Sequence, residues 1–318
     1  MSLPVFVVGR NRSGTTWLAN QLCEHPDIVG VQHERHHGIH ESAYFRMIDG
    51  RYGDLSERIN YAEFVEVMEA SDFFRLAGAD KDFLYSLWPT NYERVFRAVM
   101  DRFADEHGAK AWLEKADVQE AALQKVLAAY PDARIVGIIR DPVTNTASTV
   151  APLPSDGSAG WRPWMLLRMP LVWAYTTKVL KAFARRNDRV CLVRYEQMRE
   201  DLEGTLRCVV GALGLAWDPA VLGQTYKPQS SFRSKEDRKK ALSPAEKALV
   251  RVVASVGLLM PRCLLRLADR LRQWQRGRRP LPWWFFRLSP FFQDDPRQYD
   301  DVFGRPGTSP AETAVEKP

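Results

Sequence analysis

Short runs of apolar residues recur along the first two thirds of the chain, separated by longer segments of mixed character. The strongest runs are Pro4–Val8, Arg134–Ile139 and Val190–Val193, in which nearly every position is apolar. A strand that is apolar on both faces is typical of a parallel sheet with helices covering each side. These runs therefore predict the main strands of a parallel β-sheet.

The segments between the apolar runs have the spacing of amphipathic helices, with an apolar residue every three or four positions. Helices are predicted over about Thr15–Glu24, 62–70, 91–107, Val118–Ala129, from near Val143, Leu171–Arg185 and Asp201–Leu213, with weaker strands at Ile28–Val31 and Ala109–Leu113. Because strands and helices alternate, the sequence predicts an α/β fold of three layers, α/β/α, around a central parallel sheet.

The positive charge of the chain is concentrated near its C-terminal end. The 318 residues carry 45 Lys and Arg against 39 Asp and Glu, a formal net charge of +6. Residues 231–279 alone hold 14 basic and four acidic side chains, so this segment has a net charge of +10 and the remainder −4. Two interpretations stay open: a solvated face on a helix packed in the core, or peripheral contact with an anionic membrane through residues 246–292. No nucleic-acid-binding module is recognisable, and no nucleic-acid partner is expected.

The distribution of composition along the chain predicts its organisation. With 45% hydrophobic residues the chain can bury a large core, which excludes a wholly disordered protein. We expect one α/β domain over residues 1–240, a basic, aromatic-rich helical extension over 241–303 packed on or beside it, and a disordered tail over 304–318. The first apolar run lacks the leading positive charge of a secretory signal, and no run is long enough to span a bilayer. We therefore expect a cytoplasmic protein, with attachment to a membrane surface as the open alternative.

The most informative polar segment lies between the first predicted strand and the first predicted helix. Residues Gly9–Trp17, GRNRSGTTW, have the spacing G-x-x-x-x-G-T-T of a phosphate-binding loop. The two glycines let the backbone curl so that amide groups point at phosphate oxygens, and the helix N-terminus adds a favourable dipole. Thr15 stands where nucleotide triphosphatases have a lysine, and Arg12 supplies a cation two residues before Gly14. The pattern predicts a site for a phosphate ester other than a nucleoside triphosphate.

A second polar motif follows the strand predicted at Arg134–Ile139. It reads R-D-P-x-x-x-x-x-S over Arg140–Ser148. Together with Arg12–Trp17, and with RYEQM at Arg194–Met198 ahead of a helix that closes on Leu213–Leu215, this motif resembles the signatures of the PAPS-dependent sulfotransferases. The resemblance covers roughly residues 4–235. It implies a P-loop NTPase-like sulfotransferase fold, with the catalytic domain over residues 1–240.

The resemblance also implies a cofactor and the residues that bind it. The sulfuryl donor would be 3′-phosphoadenylyl sulfate (PAPS), and adenosine 3′,5′-bisphosphate (PAP) would be the product. Arg12 and its loop are expected at the 5′-phosphosulfate, and Arg140 with Ser148 at the 3′-phosphate, because a guanidinium fork and a hydroxyl suit a dianion. The full set expected to bind the cofactor is Arg10, Asn11, Arg12, Ser13, Gly14, Thr15, Thr16, Trp17, Arg140, Ser148, Tyr195, Ser231 and Arg233. Cationic side chains supply the charge, and no metal is expected.

Sulfuryl transfer also requires a group that accepts the proton of the acceptor. The candidates lie in Gln32–Ser42, after the second predicted strand. This layout is similar to that of the heparan-type and tyrosine-directed sulfotransferases, which carry a glutamate base after their second strand. Glu34 is the first choice, with His33 and Glu41 as alternatives. Five of the six histidines lie between positions 25 and 40. A metal site there is not expected, because the other motifs already supply a chemistry without metal.

A second cation is predicted near the transferred group. Lys115 follows the apolar part of the strand expected at Ala109–Leu113, and related sulfotransferases carry a lysine at a comparable place. Ala116 and Asp117 depart from the pattern that follows that lysine in the family. Lys115 is therefore a candidate for catalytic support beside Arg12, with an ordinary exposed lysine as the alternative.

These motifs predict a sulfotransferase that moves a sulfuryl group from PAPS to a hydroxyl or amine by in-line displacement. The acceptor stays open among small molecules, carbohydrates, lipids and peptides. The alternative is a P-loop kinase-like phosphotransferase with a degenerate Walker loop. That alternative requires a lysine after Gly14, where this chain has Thr15, and an acidic residue for Mg²⁺, for which no candidate stands out.

Overall fold

The computed structural model describes residues 1–117, 120–151, 161–226, 241–265 and Leu281. The chain divides into two compact units, the first formed by residues 1–46 and 104–272 and the second by 47–103 and 273–318. The domain boundary expected at residue 240 stays a prediction. The expected tail over 304–318, and most of the expected extension beyond residue 265, lie outside the described residues.

The first unit contains a five-stranded sheet with the strand order β2-β5-β1-β6-β7, in which every pair of neighbours is parallel. A separate antiparallel pair is formed by β3 and β4. The strands are β1 (Leu3–Gly9), β2 (Ile28–Gly30), β3 (Gln32–His33), β4 (Gly38–Ile39), β5 (Ala111–Asp117), β6 (Arg134–Ile139) and β7 (Val190–Arg194). The three strongest apolar runs thus form β1, β6 and β7, three adjacent strands of one sheet.

The described helices fill the intervals between the strands. They are α1 (Thr15–Leu22), α2 (Tyr44–Met47), α3 (Arg58–Ala70), α4 (Asp72–Leu76), α5 (Lys81–Ser86), α6 (Tyr92–Glu106), α7 (Glu120–Ala129), α8 (Pro142–Val150), α9 (Trp161–Ala184), α10 (Tyr195–Glu200), α11 (Leu202–Ala212) and α12 (Pro244–Leu259). None of these described helices is both long and apolar enough to cross a membrane.

Helices cover both faces of the sheet, because successive residues of a strand point to opposite sides. On one face, Val5 and Val7 of β1 share a buried core with α1 and α11. On the other face, Phe6 of β1 packs edge-on against Trp112 of β5 and stacks on Tyr130. Helices α7 and α9 lie on this second side, where α7 borders the same interior space as Phe6. The predicted three-layer α/β/α class is confirmed.

Helix α9 begins ten residues before its predicted start at Leu171 and runs through Pro170. A proline inside a helix removes one backbone hydrogen bond and crowds the preceding turn, so the sequence favoured a start after it. The residues on both sides of the proline, among them Met169 and Ala174, are buried. Burial in the cores that α9 shares with α8 and α12 offsets the cost of the proline and keeps the helix continuous.

Helix α12 closes the described part of the first unit by packing on α9. Ser243 caps its first turn, since the Ser243 hydroxyl accepts from the Glu246 amide while the Glu246 carboxylate accepts from the Ser243 amide. A Cβ on Gly257 would lie only 2.7 Å from the Cβ of Ala174, so glycine permits the close approach of the two helices. The part of the predicted extension that forms α12 therefore packs directly on α9.

Within the second unit, helices α3 to α6 surround an aromatic core. The rings of Phe73 and Phe96 stack with centroids 5.9 Å apart, and those of Tyr61 and Phe64 stack at 5.8 Å. The sequence predicted two of these helices, over 62–70 and 91–107, and missed the short α4 and α5. Short helices carry too few turns for a periodicity to show.

Candidate active site

The loop between β1 and α1 curls tightly because two of its residues have left-handed backbone angles, with φ 97° at Gly14 and φ 68° at Arg12. A Cβ on Gly14 would also lie 2.6 Å from the ring of Tyr195. Glycine is therefore required at this position both by the backbone angle and by the nearby ring. Gly14 is the N-cap residue of α1 and has no side chain to cap it. The first amide groups of α1 therefore face the loop without a side-chain acceptor from their own cap, an arrangement that favours an anion.

Asn145 of α8 ties this loop to the second motif. Its Nδ2 donates to the carbonyl of Asn11 at 3.0 Å and to Oγ of Ser13 at 3.1 Å. The amide of Ser13 in turn donates to the carbonyl of Arg10 at 2.9 Å. Both Asn145 and Ser13 are buried. These hydrogen bonds from α8 hold the loop in one shape, so Asn145 is a positioning residue. It was not among the predicted site residues, although it lies inside the Arg140–Ser148 motif.

The guanidinium of Arg140 is fixed beside the loop. Its Nη1 donates to the carbonyl of Arg12 at 2.9 Å, and its Nε donates to Oγ1 of Thr144 at 3.2 Å. The guanidinium carbon lies 4.2 Å from the centre of the Tyr195 ring, within the range of a cation–π contact. The backbone carbonyl of Arg140 accepts from the indole of Trp173 at 2.7 Å. Three sequence motifs that are far apart along the chain therefore meet at Arg140.

A cavity of about 270 Å³ opens between these motifs, beyond the carboxyl ends of β1, β6 and β7. It contains three guanidinium groups, those of Arg12, Arg140 and Arg199, and none of its described lining residues is acidic. The lining consists of Arg12, Gly14, Thr15, Thr16, Trp17, Asn20, Arg140, Ser148, Tyr195, Arg199 and Tyr226. Such a cavity, at the edge where ligands of open parallel sheets bind, suits a small ligand with several negative charges.

Three of these lining residues were not predicted. Arg199 lies one helical turn after Tyr195 on α10, so helix spacing would have found it. Asn20 lies on α1 one turn after Thr16. It connects the cavity to the segment Gln32–Ser42, because its Nδ2 donates to the carbonyl of His37 and its Oδ1 accepts from the amide of Ile39, each at 2.8 Å. No sequence signal marked Tyr226.

Several predicted binding residues have other roles or positions. Nη2 of Arg10 contacts Sδ of Met169 at 3.1 Å. Arg10, Asn11 and Ser13 belong to the loop but are not among the lining residues of the cavity. The predicted residues Ser231 and Arg233 lie outside the described residues.

The segment with the candidate bases follows β2 and forms one tight turn. Glu34 begins a 3-10 helix, Glu34–His36, and is exposed. Nδ1 of His33 accepts from the amide of Arg35 at 3.2 Å, so this ring nitrogen caps the turn. The rings of His36 and His40 stack with centroids 3.8 Å apart. Glu34 and His33 thus sit at the start of the same turn, with Glu34 the more exposed of the two.

Glu41 and Lys115, two residues predicted to act near the transferred group, form an ion pair. Nζ of Lys115 lies 3.3 Å from Oε2 of Glu41, and Nη1 of Arg46 lies 3.5 Å from Oε1. Burial opposes ionisation of Glu41, but Lys115 and Arg46 together hold the pKa of its carboxyl below the usual value. Glu41 is therefore a carboxylate held by two cations, and its lowered pKa makes it a weak base.

Glu114, next to Lys115 on β5, is buried and behaves in the opposite way. Burial raises its pKa to about 8, although hydrogen bonds from Ser42 act against the shift. Its Oε1 accepts from the Ser42 amide at 3.0 Å and from the Ser42 hydroxyl at 2.6 Å. Within the described chain its Oε2 has no hydrogen-bond partner. Glu114 and Lys115 thus anchor Ser42 and Glu41, so consecutive residues of β5 fix the end of the candidate base segment.

The fold and the site together define an α/β protein with a loop of the P-loop type between β1 and α1, in which Thr15 stands in the place of the Walker lysine. A family model described as the sulfotransferase family matches residues 4–219. The chain belongs to the sulfotransferase family, and the predicted family and fold class are confirmed.

Several solved structures similar to this chain are described as sulfotransferases. The sulfotransferase domain from the Synechococcus PCC 7002 olefin synthase is 18% identical, over 88% of this chain and 96% of that chain, with a TM-score of 0.49. The sulfotransferase domain from the curacin biosynthetic pathway is 14% identical, over 86% and 98%, with a TM-score of 0.48. Mouse sulfotransferase SULT7A1, complexed with PAP, is 12% identical, over 84% and 88%, with a TM-score of 0.47. No curated protein sequence matches the chain.

Proposed function

We propose that this member of the sulfotransferase family uses PAPS as its sulfuryl donor and transfers the sulfuryl group to a hydroxyl or amine of its acceptor. The observation that carries the proposal is the cavity in which Arg12, Arg140 and Arg199 converge with Ser148 at the N-terminus of α1. Three positive charges with no acid among the described lining match a ligand with a phosphosulfate and a separate phosphate. A Walker-type triphosphate site requires a lysine, and the cavity has none among its described lining residues.

The residues around the cavity fit the two anionic ends of PAPS. Arg12 and the first amides of α1 would hold the 5′-phosphosulfate, and Arg140 with Ser148 would hold the 3′-phosphate. The rings of Trp17 and Tyr195, whose centroids lie 5.8 Å apart, offer apolar surface for a nucleoside base. PAPS supplies a sulfuryl group bonded through oxygen to the 5′-phosphate, and PAP remains after its transfer.

The arginines also account for the stabilisation of charge during transfer. Negative charge grows on the departing phosphate, and cations placed beforehand beside it lower the barrier. Arg12 lies in the loop, and Arg140 is held against the Arg12 carbonyl at 2.9 Å. Because guanidinium groups supply this charge, we expect activity without a divalent metal.

Glu34 is the proposed base. Of the three candidates, Glu41 is occupied by Lys115 and Arg46 and has a lowered pKa, and Nδ1 of His33 caps the turn. Glu34 is exposed, and its carboxylate makes no ion pair or hydrogen bond among the described residues. Its turn adjoins the cavity, because Asn20 lines the cavity and bonds the backbone of His37. Glu34 would take the proton of the acceptor as the acceptor attacks.

Lys115 is proposed to support the transfer as a second cation. Its Nζ lies 3.3 Å from Oε2 of Glu41, and this ion pair limits the motion of the side chain. A positive charge held in a fixed position can stabilise negative charge that develops on the transferred group. The proposed role of Lys115 is therefore electrostatic.

Binding of PAP measured by calorimetry, with EDTA present, tests the proposed donor. We expect saturable binding of PAP at one site and no binding of ATP under the same conditions. Addition of Mg²⁺ should leave the affinity for PAP unchanged. Tighter binding of ATP with Mg²⁺ than of PAP would contradict the proposal and favour a phosphotransferase.

The chemical class of the acceptor requires a separate experiment with the same protein. We propose a hydroxyl or amine compound, and a screen with radiolabelled PAPS against small alcohols and phenols, carbohydrates, lipids and peptides would identify it. Transfer of label to one class, with no release in the absence of acceptor, is the expected result. Release of label only to water would contradict a dedicated acceptor.

A further inference from the structure

Helix α12 has two apolar faces, and only one of them packs against the described residues of its unit. The buried face consists of Val250, Ala254 and Gly257. On the opposite side, an apolar stripe is 39%, 60%, 49% and 86% exposed at Leu249, Val252, Val256 and Leu259 respectively. The spacing of three, four and three residues places these four side chains on one line along the helix. We call them the α12 stripe.

The neighbouring helix α9 also exposes large apolar side chains. Trp164 and Leu167, in the first two turns of α9, are 55% and 43% exposed. The start of α9 lies beside the start of α12, because Nε of Arg162 pairs with Oε1 of Glu246 at 2.8 Å. Large apolar side chains grouped at the surface in this way mark an interaction site more often than single exposed ones.

The sequence that contains the stripe has a positive net charge. Glu246 is the only acidic residue of α12 and is paired with Arg162, whereas Arg251, which precedes Val252 in the sequence, is exposed. The segment that contains α12, residues 231–279, has a net charge of +10. Apolar side chains flanked by basic ones favour contact with a surface that is apolar beneath and anionic outside.

We propose that the α12 stripe docks on the surface of an anionic lipid bilayer, with its apolar side chains in the headgroup region and nearby basic side chains on the anionic headgroups. A second copy of the chain is a poorer occupant. A symmetric dimer buries the same patch on both copies, so it would bring two segments of +10 together. The helix lies along the membrane surface in this arrangement, since none of the described helices can span a bilayer.

Co-sedimentation of the full-length protein with vesicles tests this docking. We expect binding to vesicles of equal parts phosphatidylcholine and phosphatidylglycerol, weaker binding at high salt, and little binding to phosphatidylcholine alone. Val256→Glu should lower the fraction bound at least tenfold, because it places a negative charge in the stripe. Ile59→Glu is the matched control, since Ile59 is 81% exposed and lies outside the stripe, and it should bind as the wild type does.

A second variant and a second measurement separate docking from misfolding and self-association. Val256→Ser removes the apolar side chain without adding charge and should show an intermediate loss, while PAP binding and circular dichroism stay unchanged in all variants. Equal binding to neutral vesicles, no binding to anionic ones, or equal losses in Val256→Glu and Ile59→Glu would overturn the proposal. A wild-type dimer in light scattering that Val256→Glu converts to a monomer would also overturn it, because the stripe would then be a contact between copies.

Discussion

Glu114 should govern how the stability of the first unit depends on pH. In the folded protein, burial raises the pKa of this carboxyl to about 8 from an ordinary value of 4.5. Between these two pH values the folded state keeps a proton that the unfolded chain has released. The stability that the protonated Glu114 contributes is therefore fully present at pH values below the unfolded pKa, and this contribution is lost as the pH rises toward 8.

The size of the effect follows from the difference in bound protons. One proton held by the folded state and not by the unfolded chain lowers the free energy of unfolding by about 1.4 kcal/mol for each pH unit. Between pH 5 and pH 7 the contribution of Glu114 is therefore a loss of about 3 kcal/mol. In Glu114→Gln, an amide oxygen can still accept from the amide and hydroxyl of Ser42, but the side chain no longer titrates. The variant should gain about 3 kcal/mol on the wild type over the same pH range.

Urea unfolding at pH 5, 6, 7 and 8, followed by tryptophan fluorescence, measures this difference because Trp112 is buried on the same strand. Glu200→Gln is the matched control, since Glu200 is exposed and its substitution should leave the pH dependence of the wild type unchanged. The reasoning is refuted if Glu114→Gln retains the pH dependence of the wild type, or if Glu200→Gln reduces it equally.

Two further predictions concern the cavity and the base. Arg140→Ala removes one of the three guanidinium groups of the cavity, so the Kd for PAP by calorimetry should rise roughly tenfold to hundredfold. The KM for the acceptor should change little, and an equal effect on Kd and KM would count against a role of Arg140 in binding the cofactor. The charge-matched control is Arg207→Ala, which removes an exposed arginine paired with Glu203. Glu34→Gln should lower turnover by roughly 10²- to 10⁴-fold in a labelled-PAPS assay while the affinity for PAP is retained. Normal turnover in that variant would place the base elsewhere.

The meeting of Arg12 and Arg140 was predictable because of where their motifs stand along the chain. Each motif follows directly on an apolar strand, and the carboxyl ends of parallel strands lie at the same edge of a sheet. β1 and β6 are direct neighbours, paired from Val5 with Arg134 to Gly9 with Ile138. Two local patterns and one rule of sheet geometry therefore sufficed to place both arginines in one site.

The supporting contacts could not be predicted, because they depend on which side chains meet after folding. Asn145 bonds residues more than 130 positions away, and its place inside the Arg140–Ser148 motif does not indicate that its side chain faces the loop after β1. The sequence did not mark Glu114, because the pKa of its carboxyl is raised by full burial, which arises only when the chain folds. The start of α9 was misplaced for a related reason, since local propensity at Pro170 opposes the helix and only tertiary burial overrides it.

Helix α1 connects the two halves of the proposed reaction. Its first residues, Thr15 and Thr16, line the cavity at the end where the helix dipole favours an anion. One turn later Asn20 also lines the cavity, and its amide group holds the backbone of His37 and Ile39 in the turn that contains Glu34. The donor site and the proposed base are thus attached to one short helix whose inner face is buried in the core of the sheet. Because that helix is packed in the core, the fold itself sets the distance between the proposed donor site and the base segment, which is the form of positioning that in-line transfer requires.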